Sequence, residues 1–291
     1  MIGFVNVFKP CGPTSANVVA RMRRIYGFYA RDNKIAVGHL GTLDPQAAGV
    51  LPVAIGKATR LIPLLTEQRK GYTCTLVLGR STTSADAHGQ TVAQTAVPAD
   101  WRKRLPAVLD RFTGRIEQTP PMYSALKHEG QRLYDLARQG ITVERKIRGI
   151  TVYGISILGF DSDSTVRLRI ACTEGTYIRT LCEDIGAALG APAHMGALLR
   201  EGSGPFVLYE SRTAEEIAHD PTGALINPEN IIPFPTVVLD LRGSADFRAG
   251  RIVPIASGPT EKHVFVRDTS RTLVGVGEMH GALLSPRKVF V

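Results

Sequence analysis

Glycines at positions 38, 41 and 49 and a proline at 45 fall within twelve residues, Gly38 to Gly49, so neither a helix nor an unbroken strand suits that stretch and it reads as a loop. The loop carries one acid, Asp44, and one imidazole, His39, among glycines and small residues. Its glycines allow the backbone to approach a ligand closely. Pro45 fixes the chain immediately after the acid, so the Asp44 carboxylate projects from a defined turn. Asp-Pro pairs also open ordinary surface turns, and spacing alone leaves both readings standing.

The segments around the loop alternate in period. Phe4 to Phe8 reads as a strand, followed by a Lys9-Pro10-Cys11-Gly12-Pro13 turn and a helix capped by Thr14 or Ser15. Val18, Val19, Met22, Ile25 and Tyr26 form that helix's apolar face, and Arg21, Arg23 and Arg24 the other. Val50 to Ile55 and Tyr72 to Leu78 are predicted strands, with a short helix over Ala58 to Leu65. A helix is expected over Trp101 to Phe112, started or kinked at Pro106, and another over Gln131 to Gln139. Ile147 to Phe160 and Val166 to Cys172 read as paired strands. Thr176 to Leu189 reads as an amphipathic helix closed by Gly190. This is an α+β pattern without regular βαβ alternation. Prolines at 221, 228, 233 and 235 suggest a hinge into a tail of short strands, dividing the chain into residues 1–220 and 236–291.

The 291 residues, 44% of them hydrophobic, suffice for a substantial core without staples. A net charge of +9 favours a polyanionic partner but does not separate RNA from DNA or an anionic membrane. The cysteines, 11, 74, 172 and 182, form no CxxC pair, so neither a disulfide framework nor a zinc site is expected. No apolar run is long enough to span a bilayer, and a cytoplasmic location is expected.

The loop continues through Val50, Leu51 and Pro52 to Gly56, Lys57, Ala58, Thr59 and Arg60, and the whole block resembles the GHxGxLDPxAxGxLP signature of the TruB-type tRNA pseudouridine synthases. Further elements keep the family's order over about residues 3 to 212: Lys9 to Ser15 as KPxGxTS, Lys70-Gly71-Tyr72 as K-x-Y, Tyr123 to Arg138 as YSAxKxxGxxxYxxAR, and Gly175 to Thr180 as GTYIRT. Two departures stand out. Arg80 to Asp86 replaces the commoner TDTxD pattern, and the tail is shorter than a full PUA domain.

The resemblance implies a largely antiparallel sheet with flanking helices, a catalytic domain over 1–220 with an RNA-gripping insertion at about 122–148, and a small PUA-like, β-rich domain over 236–291. It implies isomerisation of uridine 55 in the T loop of tRNA, in which the N1-glycosidic bond breaks, the uracil rotates and C5 rejoins the ribose. Asp44 is then the essential catalytic residue, and Arg179 pairs with it. A guanidinium fork limits a carboxylate's rotation and favours its charged form. Tyr72 stacks on the target base and assists at C5, Tyr177 contacts the target nucleotide, and Leu198 lines the uracil pocket. His39 supports the stack vacated by the extruded base. Lys9, Lys127, Arg132, Arg138 and Arg200 are the expected RNA contacts. No metal, nucleotide or redox cofactor is implied. The expected partner is the tRNA T arm, with no membrane, no obligate protein partner, and a monomer as the default. The rival reading is a non-catalytic tRNA-binding or tRNA-folding protein in which Asp44 is structural.

Overall fold

The structure, a computed structural model, describes residues 1–31, 34–65, 69–124 and 126–290; the side chains of Lys127 and Arg138, both expected at the RNA interface, lie outside what it describes. Its main sheet has nine strands. Seven run in the spatial order Ile2–Lys9, Ala48–Gly56, Ala193–Ser203, Lys70–Leu78, Thr165–Cys172, Arg148–Ser162 and Gly114–Gln118, with Val37–His39 and Phe206–Val207 added at the sides. Every pairing is antiparallel except that of Ala193–Ser203 with Ala48–Gly56, where Leu199 faces Ala48 and Arg200 faces Gly49. That parallel seam lies at the C-terminal flank of the glycine-rich loop. The expected largely antiparallel α+β architecture is therefore what the chain adopts.

Two sets of helices cover the sheet. The first, Ser15–Ala30, begins at a capping box: Thr14 Oγ1 accepts from Asn17 N (3.0 Å) while Thr14 N donates to Asn17 Oδ1 (2.9 Å). Its Val18, Met22 and Tyr26 pack against Val5, Leu51 and Val53. Trp101–Arg111 and Ile178–Leu189 close the other half of the core, Leu105, Leu109, Leu181 and Ile185 meeting Leu76, Leu168 and Ile170.

The helix expected over Trp101 to Phe112 spans Trp101–Arg111, with Pro106 inside it. Two boundaries differ from the sequence expectation. The helix expected from Gln131 spans only Leu133–Arg138, because Glu129 and Gly130 (φ 49° and 86°) close a hairpin that draws Gln131–Arg132 into pairing with Lys127–His128. The helix expected from Thr176 starts at Ile178, since Tyr177 is extended (φ −96°, ψ 104°).

A second sheet of five strands, in the order Thr236–Val238, His263–Arg267, Leu273–His280, Leu283–Val289 and Val253–Pro254, forms the C-terminal part. The proline-rich stretch before it is tied down: Phe4 and Ile226 exchange backbone hydrogen bonds of 2.9 and 2.7 Å. One apolar cluster spans both sheets, with Phe4, Leu61 and Phe206 against Phe265, Val276 and Phe290. Among the described residues all four cysteines are free thiols, no group of three metal-ligating side chains occurs, and no helix is long and apolar enough to cross a membrane.

Candidate active site

The glycine-rich loop is pinned from two sides. From the N-terminal turn, Lys9 Nζ donates to the carbonyls of Pro10 (2.9 Å), Pro13 (2.9 Å) and Pro45 (3.3 Å), and Gly12 N donates to Pro45 O (2.8 Å). Ser15 clamps the residue before the acid, its hydroxyl donating to Leu43 O (2.8 Å) and accepting from Leu43 N (2.9 Å). From the parallel seam, Arg200 donates to Val50 O (2.7 Å), Gly41 O (3.2 Å) and Thr42 O (3.3 Å). Gly49 makes this approach possible. Its φ is +115°, and a Cβ there would sit 2.2 Å from Arg200 O. The backbone around Asp44 is thus fixed by three side chains distant in sequence.

Asp44 itself is half-exposed and meets Arg179 at 2.9 Å. The guanidinium also donates to Tyr123 O (2.7 Å) and Ser84 O (3.0 Å), so three segments converge on one buried fork. Beside the pair opens a cavity of about 310 Å³ lined by Asp44, Tyr72, Tyr177, Arg179 and Leu198, with Lys70, Glu174 and Arg200 on its wall. Gln118 fixes Tyr177 by a reciprocal bond: its amide nitrogen donates to Tyr177 O (3.0 Å) and its carbonyl oxygen accepts from Tyr177 N (2.8 Å). Burial pushes the Tyr72 phenol up, against the opposing pull of Arg200, so the ring enters the cavity as a neutral phenol. Burial raises the Tyr177 phenol as well.

The structure therefore brings together Asp44, Tyr72, Tyr177, Arg179 and Leu198. His39 stands apart from the cavity lining, on the Val37–His39 strand; burial first and then the Arg200 charge lower its pKa, which keeps the ring neutral. Two of the expected RNA contacts are placed otherwise. Lys9 is 0% exposed and Arg200 1%, each donating to backbone carbonyls, so neither presents its charge to a phosphate; both shape the loop. Arg132 is exposed, donating to the Tyr134 hydroxyl at 3.0 Å in the insertion.

Sequence reasoning gave no role at the site to Ser15, which it considered only as a helix cap, nor to Gln118, Lys70 or Glu174. Ser15 and Lys70 do lie inside the quoted KPxGxTS and K-x-Y elements, which was their one available signal. Gln118, fifty-nine residues from its partner, carries none.

Chemically, the cavity offers an oriented carboxylate, a neutral aromatic floor, an apolar side chain and three cationic side chains in its lining. That set suits nucleophilic or elimination chemistry at a sugar carbon bearing a planar base.

Comparison with known proteins agrees with this geometry. The TruB family pseudouridylate synthase N-terminal domain matches residues 24–178, and the tRNA pseudouridylate synthase B C-terminal domain matches residues 179–221. The chain is 48% identical over 221 residues to tRNA pseudouridine synthase B of Heliobacterium modesticaldum, covering 75% of this chain and 70% of that one. It is 37% identical over 289 residues to tRNA pseudouridine synthase B of Caldanaerobacter subterraneus subsp. tengcongensis, covering 99% of both. Among solved structures, a chain of a Cbf5–Nop10–Gar1 complex superposes with a TM-score of 0.69 at 28% identity, over 99% of this chain and 85% of the other. A chain of an H/ACA ribonucleoprotein bound to a substrate RNA containing 2′-deoxyuridine gives 0.67 at 26% identity, again over 99% and 85%.

Proposed function

The chain belongs to the TruB family of pseudouridylate synthases, and from that premise we propose that it isomerises uridine 55 in the T loop of tRNA to pseudouridine, with Asp44 as the catalytic carboxylate. The observation that carries the reading is the Asp44–Arg179 pair at the edge of a cavity floored by Tyr72. A base paired or stacked in a folded RNA must leave its stack to reach that carboxylate. The cavity then receives a flipped uracil against the Tyr72 ring and Leu198, while Tyr177, held by Gln118, borders the nucleotide.

Asp44 either attacks the ribose or starts elimination; both routes release uracil for rotation and rejoining through C5. Arg179 keeps the carboxylate aimed. The exposed Arg132, with the insertion around it, and His39 meet the RNA, supplying a sequence-independent grip. In this reading residues 1–220 form the catalytic domain, 236–291 a small PUA-like domain, and the protein acts as a cytoplasmic monomer on the tRNA T arm without a metal or other cofactor.

The test is nucleotide-resolved mapping of pseudouridine on an unmodified tRNA transcript, with wild type beside Asp44→Asn and tRNA binding followed in parallel. Product at the T-loop uridine from wild type, with none from the variant at undiminished binding, is expected. Tight binding without product from wild type would instead favour the non-catalytic tRNA-binding alternative or a different RNA substrate.

A further inference from the structure

Four cationic side chains are buried about the catalytic loop and its cavity: Lys9 at 0% exposure, Arg200 at 1%, Lys70 at 3% and Arg179 at 5%. Burying a charge is costly unless hydrogen bonds and counter-charges offset it, so each cation needs a structural account. For three of them the donors supply it. Lys9 directs its ammonium at three backbone carbonyls. Arg200 binds three others. Arg179 divides its fork among Asp44, Ser84 O and Tyr123 O.

Lys70 differs. An ammonium has three donors, and among the described residues its one hydrogen-bond acceptor is Ser203 Oγ, at 2.7 Å. Yet Lys70 lines the cavity, two residues before Tyr72 on the same strand. A Cβ placed on Gly41, in the catalytic loop, would lie 3.7 Å from Lys70 Nζ, 3.8 Å from Arg200 Nη1 and 3.8 Å from Glu174 Oε1. Two cations and one carboxylate thus border the same glycine at the cavity wall, and the carboxylate belongs to an exposed residue.

The reaction of the family supplies a use for such a cation. When the bond between N1 and C1′ breaks, its electron pair leaves with the uracil, whose charge spreads over N1 and the two carbonyl oxygens. After rotation C5 donates a pair to C1′, the C5 proton is then lost, and N1 is protonated; no oxidant or reductant enters. We propose that Lys70 is a further catalytic residue, whose ammonium stabilises the uracil anion released inside the cavity.

Fixed charge placed where negative charge develops is worth far more in a cavity closed to water than in bulk. The groups facing Lys70 are Ser203 and Arg200 from one neighbouring strand, Cys172 from the other, and Glu174 from the loop that follows it. Burial lowers the ammonium pKa to about 8; Glu174 and Cys172 oppose that shift and Arg200 adds to it. The cation is therefore present at neutral pH and is lost within the accessible alkaline range.

This assignment rests on the pseudouridine-synthase reading, and wild-type turnover checks that reading in the same experiment. Single-turnover rates and tRNA affinity are measured for wild type, Lys70→Met and Lys70→Arg from pH 6 to 9.5, on transcripts carrying uridine or 5-fluorouridine at the target. Fluorine stabilises the leaving anion without altering the protein. Lys70→Met is expected to bind tRNA within about threefold of wild type, to consume the uridine substrate about 10²-fold more slowly, and to lose the alkaline limb of the profile. Its deficit is expected to shrink on 5-fluorouridine, and Lys70→Arg to recover part of the rate.

An unchanged rate, equal deficits on both substrates, or a loss confined to affinity would overturn the proposal, the last pointing to a phosphate contact. If Lys70→Met does not fold, wild type on the uridine substrate decides: its single-turnover rate must fall as pH rises through about 8 with tRNA affinity retained, and a rate that stays constant from pH 7 to 9 overturns the assignment. No pseudouridine from wild type removes the proposed uridine-55 activity and this assignment together.

Discussion

At the scale of single residues, the site is governed by what buried cations do with their donors. Arg179 supports Asp44 with a planar fork that also reaches two carbonyls; a lysine keeps the charge but cannot span all three acceptors. Arg179→Lys is expected to lower the single-turnover rate by about 10² while leaving tRNA affinity unchanged, since the lost interaction orients the reacting carboxylate. Lys9 makes the opposite prediction. Lys9→Met leaves the Pro10 and Pro13 carbonyls without this donor, and Pro45 O with Gly12 N alone, and should destabilise the fold by about 2 kcal/mol, read by denaturant titration. It should leave the salt dependence of tRNA binding unchanged, whereas Arg132→Ala, at an exposed position, should reduce the slope of log K against log salt by about 0.7 to 0.9.

Lys70 links stability to pH with a definite sign. Its folded pKa, about 8, lies below the 10.5 of the free side chain, so between those values the unfolded chain binds more protons. The burial penalty is complete below about pH 8 and is relieved as pH rises toward 10.5. Wild-type stability should therefore rise relative to Lys70→Met between pH 8 and 10, measured by paired denaturant titrations. A flat difference would show that Lys70 is not buried as a charge.

At the scale of elements, the parallel seam between Ala48–Gly56 and Ala193–Ser203 is what brings Arg200 under the loop. Gly49 permits it through a positive φ and the absence of a Cβ. Gly49→Ala would force atoms to within 2.2 Å of the Arg200 carbonyl or break the register, and should destabilise the protein by at least about 2 kcal/mol. Thermal unfolding of the variant checks this.

Much at this scale was legible in advance. The first helix and its cap, the Tyr72 strand and the αL glycine at 190 all follow from local patterning. The start of the active-site helix was not. Gln118, from a strand on the far side of the sheet, holds Tyr177 extended, and no local propensity encodes a partner fifty-nine residues away.

At the scale of the whole molecule, the two sheets share a core, with Phe265, Val276 and Phe290 against Phe4, Leu61 and Phe206. Removing residues 236–291 would open that cluster to water. The full chain is expected to unfold in a single calorimetric transition, and the truncated chain to melt at lower temperature with exposed apolar surface that binds a hydrophobic dye. Two separate transitions in the full chain would instead make the tail an autonomous unit. The proline-rich stretch at 221–235 reads as a hinge from composition alone, but its backbone pairing through Ile226 to the first strand makes it part of the packed body.

The sequence by itself determined the class of fold, the loop that carries Asp44, and the residue types gathered about the cavity, because period, turn chemistry and motif order are properties of neighbours along the chain. Tertiary structure alone decided which cations are used for architecture and which face the cavity. Lys9, Lys70, Arg179 and Arg200 are indistinguishable as basic residues in a positively charged chain; their roles follow from which carbonyls, hydroxyls and carboxylates the fold places within hydrogen-bond reach. Donor occupancy depends on contacts between residues up to 159 positions apart, and no reading of local pattern contains it.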